Sequence, residues 1–114
     1  DMAEQISGQS EWIKISQEQI NQFANVTGDH QYIHVSPERA AKKFGGPAVH
    51  GFLSLSLIPH LMMEALVDQI GPSTVLNYGV NRLRFILPIR PCNFIRLNWN
   101  IACTEQKKWP VADC

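Results

Sequence analysis

The chain has 114 residues, 45% of them hydrophobic and 18% charged, with ten Lys and Arg balancing ten Asp and Glu. That length holds one domain with one core, residues 1–114, and excludes two domains of ordinary size; the composition excludes a chain that is disordered overall. A net charge of zero and a sequence pI near 7.1 argue against a strong grip on nucleic acid or an anionic membrane, since such binding rests on clustered, uncompensated Lys and Arg.

In chain order, Ser16 to Gly28 is predicted to form a helix. Ser16 followed by Gln19 has the form of a capping box, Ile20, Phe23, Ala24 and Thr27 recur at helical spacing, and Gly28 stops the run. Ser36 with Pro37 behind it marks a second start, for a short helix ending near Phe44. Gly45-Gly46-Pro47 is a connector without room for regular structure. From Gly51 to Asp68 the chain is apolar on nearly every face, as expected of a buried central helix, and Pro59 inside it predicts a kink or break. Gly71-Pro72 ends it. Val75 to Leu87 and the alternating Ile95, Leu97, Trp99 and Ile101 read as strands, with Pro88 and Pro91 marking a turn between them. The expected class is α+β, a sheet against one buried helix.

The three cysteines, Cys92, Cys103 and Cys114, have no C-x-x-C spacing and are expected to be reduced thiols of a cytoplasmic protein. The opening residues lack the basic and apolar regions of a signal peptide, and the apolar stretch from Ala48 to Ile70 carries His50, Pro59, His60, Glu64 and Asp68, too many interruptions for an expected bilayer span.

Three of the four histidines fall in Thr27-Gly28-Asp29-His30-Gln31-Tyr32-Ile33-His34 and Val49-His50-Gly51. A carboxylate and a neutral imidazole on an irregular loop can hold one water between them, and Asp29 and His34 have that chemistry. The competing reading is structural: Asp29 caps the next turn and His34 is a satisfied, buried histidine. Gly51 opens the buried helix, so its N–H is an unpaired donor at the positive end of a helix dipole and suits a developing oxyanion; alternatively the glycine only allows a tight turn into the helix. Asp29, His30, His34, His50 and His60 are also metal-ligand types, but His30 and His34 present one face only on a helix, which Gly28 and Tyr32 argue against; no metal is expected. FGGPAVHG lacks the ending of a phosphate loop, and neither Ser54 nor Ser56 lies in G-x-S-x-G. Ser56 is either a hydrogen-bonding group in the cleft or bonded back to its own helix.

The segments FANVTGDHQYIHVSPERA, FGGPAVHGFLSLSLIP and LNYGVNRLRFILPI resemble, in that order, the MaoC-like dehydratase family of (R)-specific enoyl-CoA hydratases, and most closely its nodulation-protein-N-like branch. The resemblance runs from Trp12 to about Cys103. It implies a hot-dog fold, a curved antiparallel sheet wrapped around a long central helix, and reversible hydration of a trans-2-enoyl thioester of coenzyme A or acyl carrier protein without a cofactor. Position by position, it implies Asp29 and His34 as the catalytic pair. Gly51, Ser56, Gln31 and His50 fall in oxyanion or substrate-binding positions. Gln31 and Tyr32 stand where the family usually has Asn and Pro, which leaves the substrate open. Family members usually continue through one or two more strands where this chain passes from Ile101 to CTEQKKWPVADC. The C-terminal strands are therefore expected to be short, with the edge guarded by Lys107, Lys108 and Pro110 or completed by a partner chain. A homodimer or higher oligomer, or a heteromeric pairing as a non-catalytic or half-site subunit, follows as an expectation. A hot-dog thioesterase is the third reading.

Overall fold

The computed structural model describes residues 6–102 and 104. The class is α+β, with five helices and two small antiparallel ladders among the described residues. Helix α1, Gln17–Thr27, is built as its sequence predicts. Ser16 Oγ accepts from the Gln19 N–H at 3.1 Å, Gln19 Oε1 accepts from the Ser16 N–H at 2.8 Å, and Gly28 at φ 85° closes the helix by donating to the Ala24 carbonyl. Its inner face, Ile20 and Ala24, is fully buried. Helix α2, Tyr32–Val35, is a single turn where the sequence reads as loop. Helix α3, Pro37–Phe44, starts after Ser36 and ends at Gly45, with Glu38 in its first turn and Lys42 and Lys43 in its last, matching the helix dipole. Ser36 occupies the capping position without making the side-chain hydrogen bond.

The long apolar stretch forms two helices, α4, Gly51–Ser56, and α5, Ile58–Ile70, broken at Leu57 just before Pro59. The break is the one the proline predicts: its ring offers no N–H to continue the ladder. The expected burial on several sides is not found. Of α4 and α5 only Leu53 and Leu66 are buried, while Phe52 and Ile70 are exposed. By length and composition alone Gly51–Ile70 is apolar enough to cross a membrane, polar interruptions included.

Strand β1, Ser7–Gln9, pairs antiparallel with β4, Asn98–Asn100, and β2, Ile13–Lys14, pairs with β3, Phe94–Ile95. These are one ribbon in two pieces. Gln9 faces Asn98 and Ile13 faces Ile95, so four steps on one strand oppose three on the other, a bulge at residues 10–12. Ser10 fills the gap: its N–H donates to the Leu97 carbonyl and its Oγ accepts from the Leu97 N–H, both at 2.8 Å. The expected alternation is present from Leu97 on, with Leu97, Trp99 and Ile101 half-buried and Asn98 and Asn100 exposed, and it fails at Arg96, which is half-buried beside Ile95 and donates to the Ser10 carbonyl. The expected strand over Val75–Leu87 is not. Those residues form neither helix nor strand and expose Leu76, Tyr78, Val80, Ile86 and Leu87, because no neighbouring strand offers them a ladder among the described residues. Among the described residues β1 reaches α5, where Gln69 donates to the Ser7 carbonyl at 3.0 Å, and Leu66 is the buried residue of that helix.

The core joins Ile15, Ile20, Val49 and Leu53, with Phe23, Leu57, Ile89 and Ile95 packed against it. Between α3 and α4 the Gly45–Pro47 connector is gripped by Arg90, whose guanidinium donates to the carbonyls of Phe44, Gly46 and Pro47 at 3.1, 2.6 and 3.3 Å and lies over the Phe44 ring. The next two residues are pinned as well, Ala48 N–H to the Ile33 carbonyl and Val49 N–H to the Ile89 carbonyl. His50 is thereby delivered to the end of α1. Cys92 is an exposed free thiol; Cys103, Cys114, Lys107, Lys108 and Pro110 lie outside the described residues.

Candidate active site

His34 sits on the single turn of α2, 8% exposed. Its Nδ1 lies 2.8 Å from the Ala48 carbonyl. A carbonyl only accepts, so Nδ1 carries the hydrogen, and in the neutral ring Nε2 presents a lone pair. Gln17 of α1 donates to the His34 carbonyl at 2.7 Å and ties the turn to the first helix. The lone pair of Nε2 faces Asp29 Oδ2 at 3.9 Å.

Asp29 follows Gly28, whose left-handed backbone turns the chain out of α1. Its N–H donates to Thr27 Oγ1 and its Oδ1 accepts from the Gln31 N–H, each at 3.3 Å. The turn cap and the approach to His34 therefore coexist at this residue. One carboxylate oxygen caps the turn and the other faces His34. At 3.9 Å the pair is too far apart for a direct hydrogen bond, and one water oxygen can lie within hydrogen-bonding reach of both groups.

His50 is 3% exposed and packs behind the pair. Its ring stacks on His34 with centroids 3.9 Å apart and planes 19° apart, and Phe23 packs against it at 4.9 Å. Its Nε2 lies 3.0 Å from the Asp29 carbonyl and so carries the hydrogen, while Nδ1 is buried with no partner among the described residues. Asp29, His34 and His50 bring one ligand atom each within 4.8 Å of one another. The stack limits that set as a chelate: a cation binds along the in-plane lone pair of an imidazole, the two rings send theirs along nearly parallel planes, and His50 Nε2 already serves the Asp29 carbonyl, which leaves Nδ1 as its open ligand atom.

The remaining candidates spread outward. Gln31 enters through its backbone N–H on Asp29. Gly51 is the first residue of α4, and the ring of Phe85 lies where a side chain on it would begin, 2.9 Å from the Cβ position. It lines a groove of about 270 Å³ with Phe44, Ser54 and Phe85. Ser56 Oγ donates to the Leu53 carbonyl at 2.7 Å, the bond back to its own helix, and borders a groove of about 540 Å³ with Phe52, Pro59 and Asn77. Asp29 and His34 line neither groove. His30 is exposed and pairs with Asn25, and His60 is exposed on α5, so neither joins the pair. Sequence reasoning missed Gln17, Phe23 and Arg90, which hold the site without carrying a motif. Only Thr27, two residues before Asp29, bore a local signal.

Comparison with known proteins adds a lineage to this geometry. The family profile described as "MaoC like domain" matches residues 2–109. 3-Hydroxyacyl-thioester dehydratase Z of Mycobacterium tuberculosis (strain ATCC 25618 / H37Rv) is 48% identical over 99 residues, which are 86% of this chain and 65% of that protein. Nodulation protein N of Rhizobium leguminosarum bv. viciae is 44% identical over 91 residues, 78% of this chain and 56% of that protein. Protein MaoC of Klebsiella aerogenes is 34% identical over 84 residues, 73% of this chain and 24% of that protein. The chain thus spans less than two thirds of the length of these curated relatives.

Proposed function

This chain belongs to the MaoC-like domain family, and from that premise we propose that it carries the catalytic pair of a 3-hydroxyacyl-thioester dehydratase, an (R)-specific enoyl-CoA hydratase in the reverse direction. The observation that carries the reading is the gap of 3.9 Å between Asp29 Oδ2 and His34 Nε2, with the imidazole locked by the Ala48 carbonyl so that its lone pair faces the carboxylate. The substrate is a trans-2-enoyl thioester on coenzyme A or an acyl carrier protein. Asp29 accepts a proton from water as the water oxygen adds to C3 and passes that proton on to C2, while His34 Nε2 accepts the water's other hydrogen bond and orients it. The Gly51 N–H stabilises the charge that develops on the thioester oxygen, and Gln31 supports Asp29 through its backbone N–H. The two hydrogens of the water end on the new hydroxyl and on C2. A C3–O bond and a C2–H bond form as the C2=C3 π bond and one water O–H bond break, so the step balances without a redox partner.

The fold we propose around this pair is the hot-dog arrangement, a curved sheet wrapped about the α4 and α5 axis, in a cytoplasmic protein that makes no use of nucleic acid or membrane. The near-continuous apolar character of α5 supports it as a packing helix. Hydration of crotonyl-CoA, read as loss of enoyl absorbance, tests the activity. Asp29→Asn and His34→Ala are each expected to lower turnover by about 10²-fold or more. Turnover equal to wild type in both variants sinks the assignment.

The open flanks of α5 and residues 75–87 favour a second reading, in which this chain is a half-site subunit, active only against another chain. A purified monomer without activity that gains it on adding a partner supports that reading over the stand-alone enzyme.

A further inference from the structure

The pairing of Asp29 with His34 does not use His50, yet His50 touches both. Its Nε2–H reaches the main-chain carbonyl of Asp29 at 3.0 Å, and its ring face lies on the His34 ring at 3.9 Å and 19°. Phe23 closes the other side at 4.9 Å. Each contact fixes a different coordinate. The hydrogen bond sets where the backbone of Asp29 lies, and with it the reach of Oδ2. The stack sets the rotation of the His34 ring, and with it the direction of the Nε2 lone pair. The ring is 3% exposed, so it holds the pair from behind.

We infer that His50 is a positioning residue for the Asp29–His34 pair, setting their gap through its Nε2–H and its ring face without touching substrate; the inference rests on the hydratase reading above. Proton transfer falls steeply when donor and acceptor drift, so a residue that sets this gap acts on turnover and not on substrate affinity. His50 Nδ1 has no partner among the described residues, so the hold seen there comes from Nε2–H and the ring face. A side chain that supplies only the Nε2 donor therefore keeps half of the device.

Three substitutions separate the parts. His50→Gln places an amide N–H close to the Nε2 position and loses the ring; His50→Phe keeps the ring and loses the donor; His50→Asn loses both. With crotonyl-CoA as probe, His50→Phe and His50→Gln are each expected to lower kcat by about ten-fold, with KM changed by less than about two-fold, and His50→Asn by more than either. A loss confined to KM, or three variants within two-fold of wild type while Asp29→Asn is inactive, overturns the positioning role and leaves the hydratase reading standing.

Amide hydrogen exchange of residues 29–31 supplies a readout that does not need activity. It is expected to run about ten-fold faster in His50→Phe than in wild type and to return toward wild type in His50→Gln. Equal exchange in the Phe and Gln variants overturns the inference whatever the kinetics. A wild-type chain that does not hydrate crotonyl-CoA removes the hydratase reading, and the exchange comparison still decides whether His50 holds the loop. If His50→Asn fails to fold, the Phe and Gln pair carries the test alone.

Discussion

Gly28 is the residue on which the Asp29 loop turns, and the space around it separates two kinds of cost. Its φ is +85° and a Cβ built there meets nothing within 4 Å, so a side chain brings left-handed strain and no clash. Gly28→Ala is expected to lower the free energy of urea unfolding by about 1–2 kcal/mol, and Gly28→Asn by less, because Asn tolerates that conformation. Gly51 is the contrasting case, since a Cβ there falls 2.9 Å from the Phe85 ring. Phe85 is half exposed and can swing aside, so Gly51→Ala is expected to change the melting temperature little while displacing that ring from the groove. The Asp29 and His34 pair was legible in the sequence because five positions and a glycine bring the two groups together locally. The place of His50 was not, because fifteen residues, α3 among them, separate it from His34 and only the fold stacks one imidazole on the other. The same stack sends the two imidazoles' lone pairs along nearly parallel planes, a constraint on metal binding that the residue types alone do not show.

Among the elements, those whose ends are written locally were readable. The Ser16 capping box, Gly28, Gly45 and Pro59 each act within one helical turn, and α1, α3 and the break at Leu57 lie where those signals put them. Ser16→Ala is expected to cost about 1 kcal/mol in the same unfolding measurement, through loss of the bond from the Gln19 N–H to Ser16 Oγ. The ladders were less readable because pairing is set by distant partners. Gly8 lies against Trp99, with a Cβ position 2.8 Å from the indole, a relation that no window of sequence contains. Residues 75–87 have strand composition and no ladder, which is propensity without a partner. The Arg90 grip is equally nonlocal. Three carbonyls accept from one guanidinium, a geometry a lysine ammonium cannot match, so Arg90→Lys is expected to cost about 2 kcal/mol of stability. The same variant is expected to lower crotonyl-CoA turnover by loosening the connector that delivers His50.

Taken whole, the molecule leaves much apolar surface open. Phe52, Leu76, Val80, Ile86 and Leu87 are more than half exposed around α4, α5 and the segment that follows them. Surface of that kind is covered by another chain or associates with itself. Light scattering of the purified chain at micromolar concentration is expected to give a mass above 12.9 kDa; a strict monomer that does not bind a hydrophobic dye contradicts this. The bulged ribbon has a different consequence. It carries the N-terminal residues 6–14 to the far end of the described chain, where Ile101 donates to the Ile6 carbonyl and Cys92 to the Ile15 carbonyl. The peptide between Pro72 and Leu87 is thus a tether between two halves already fastened elsewhere. A protease that cuts this exposed tether is expected to yield two fragments on a denaturing gel and one particle on a native column. Complementation from separately expressed halves then becomes a practical way to vary either half alone.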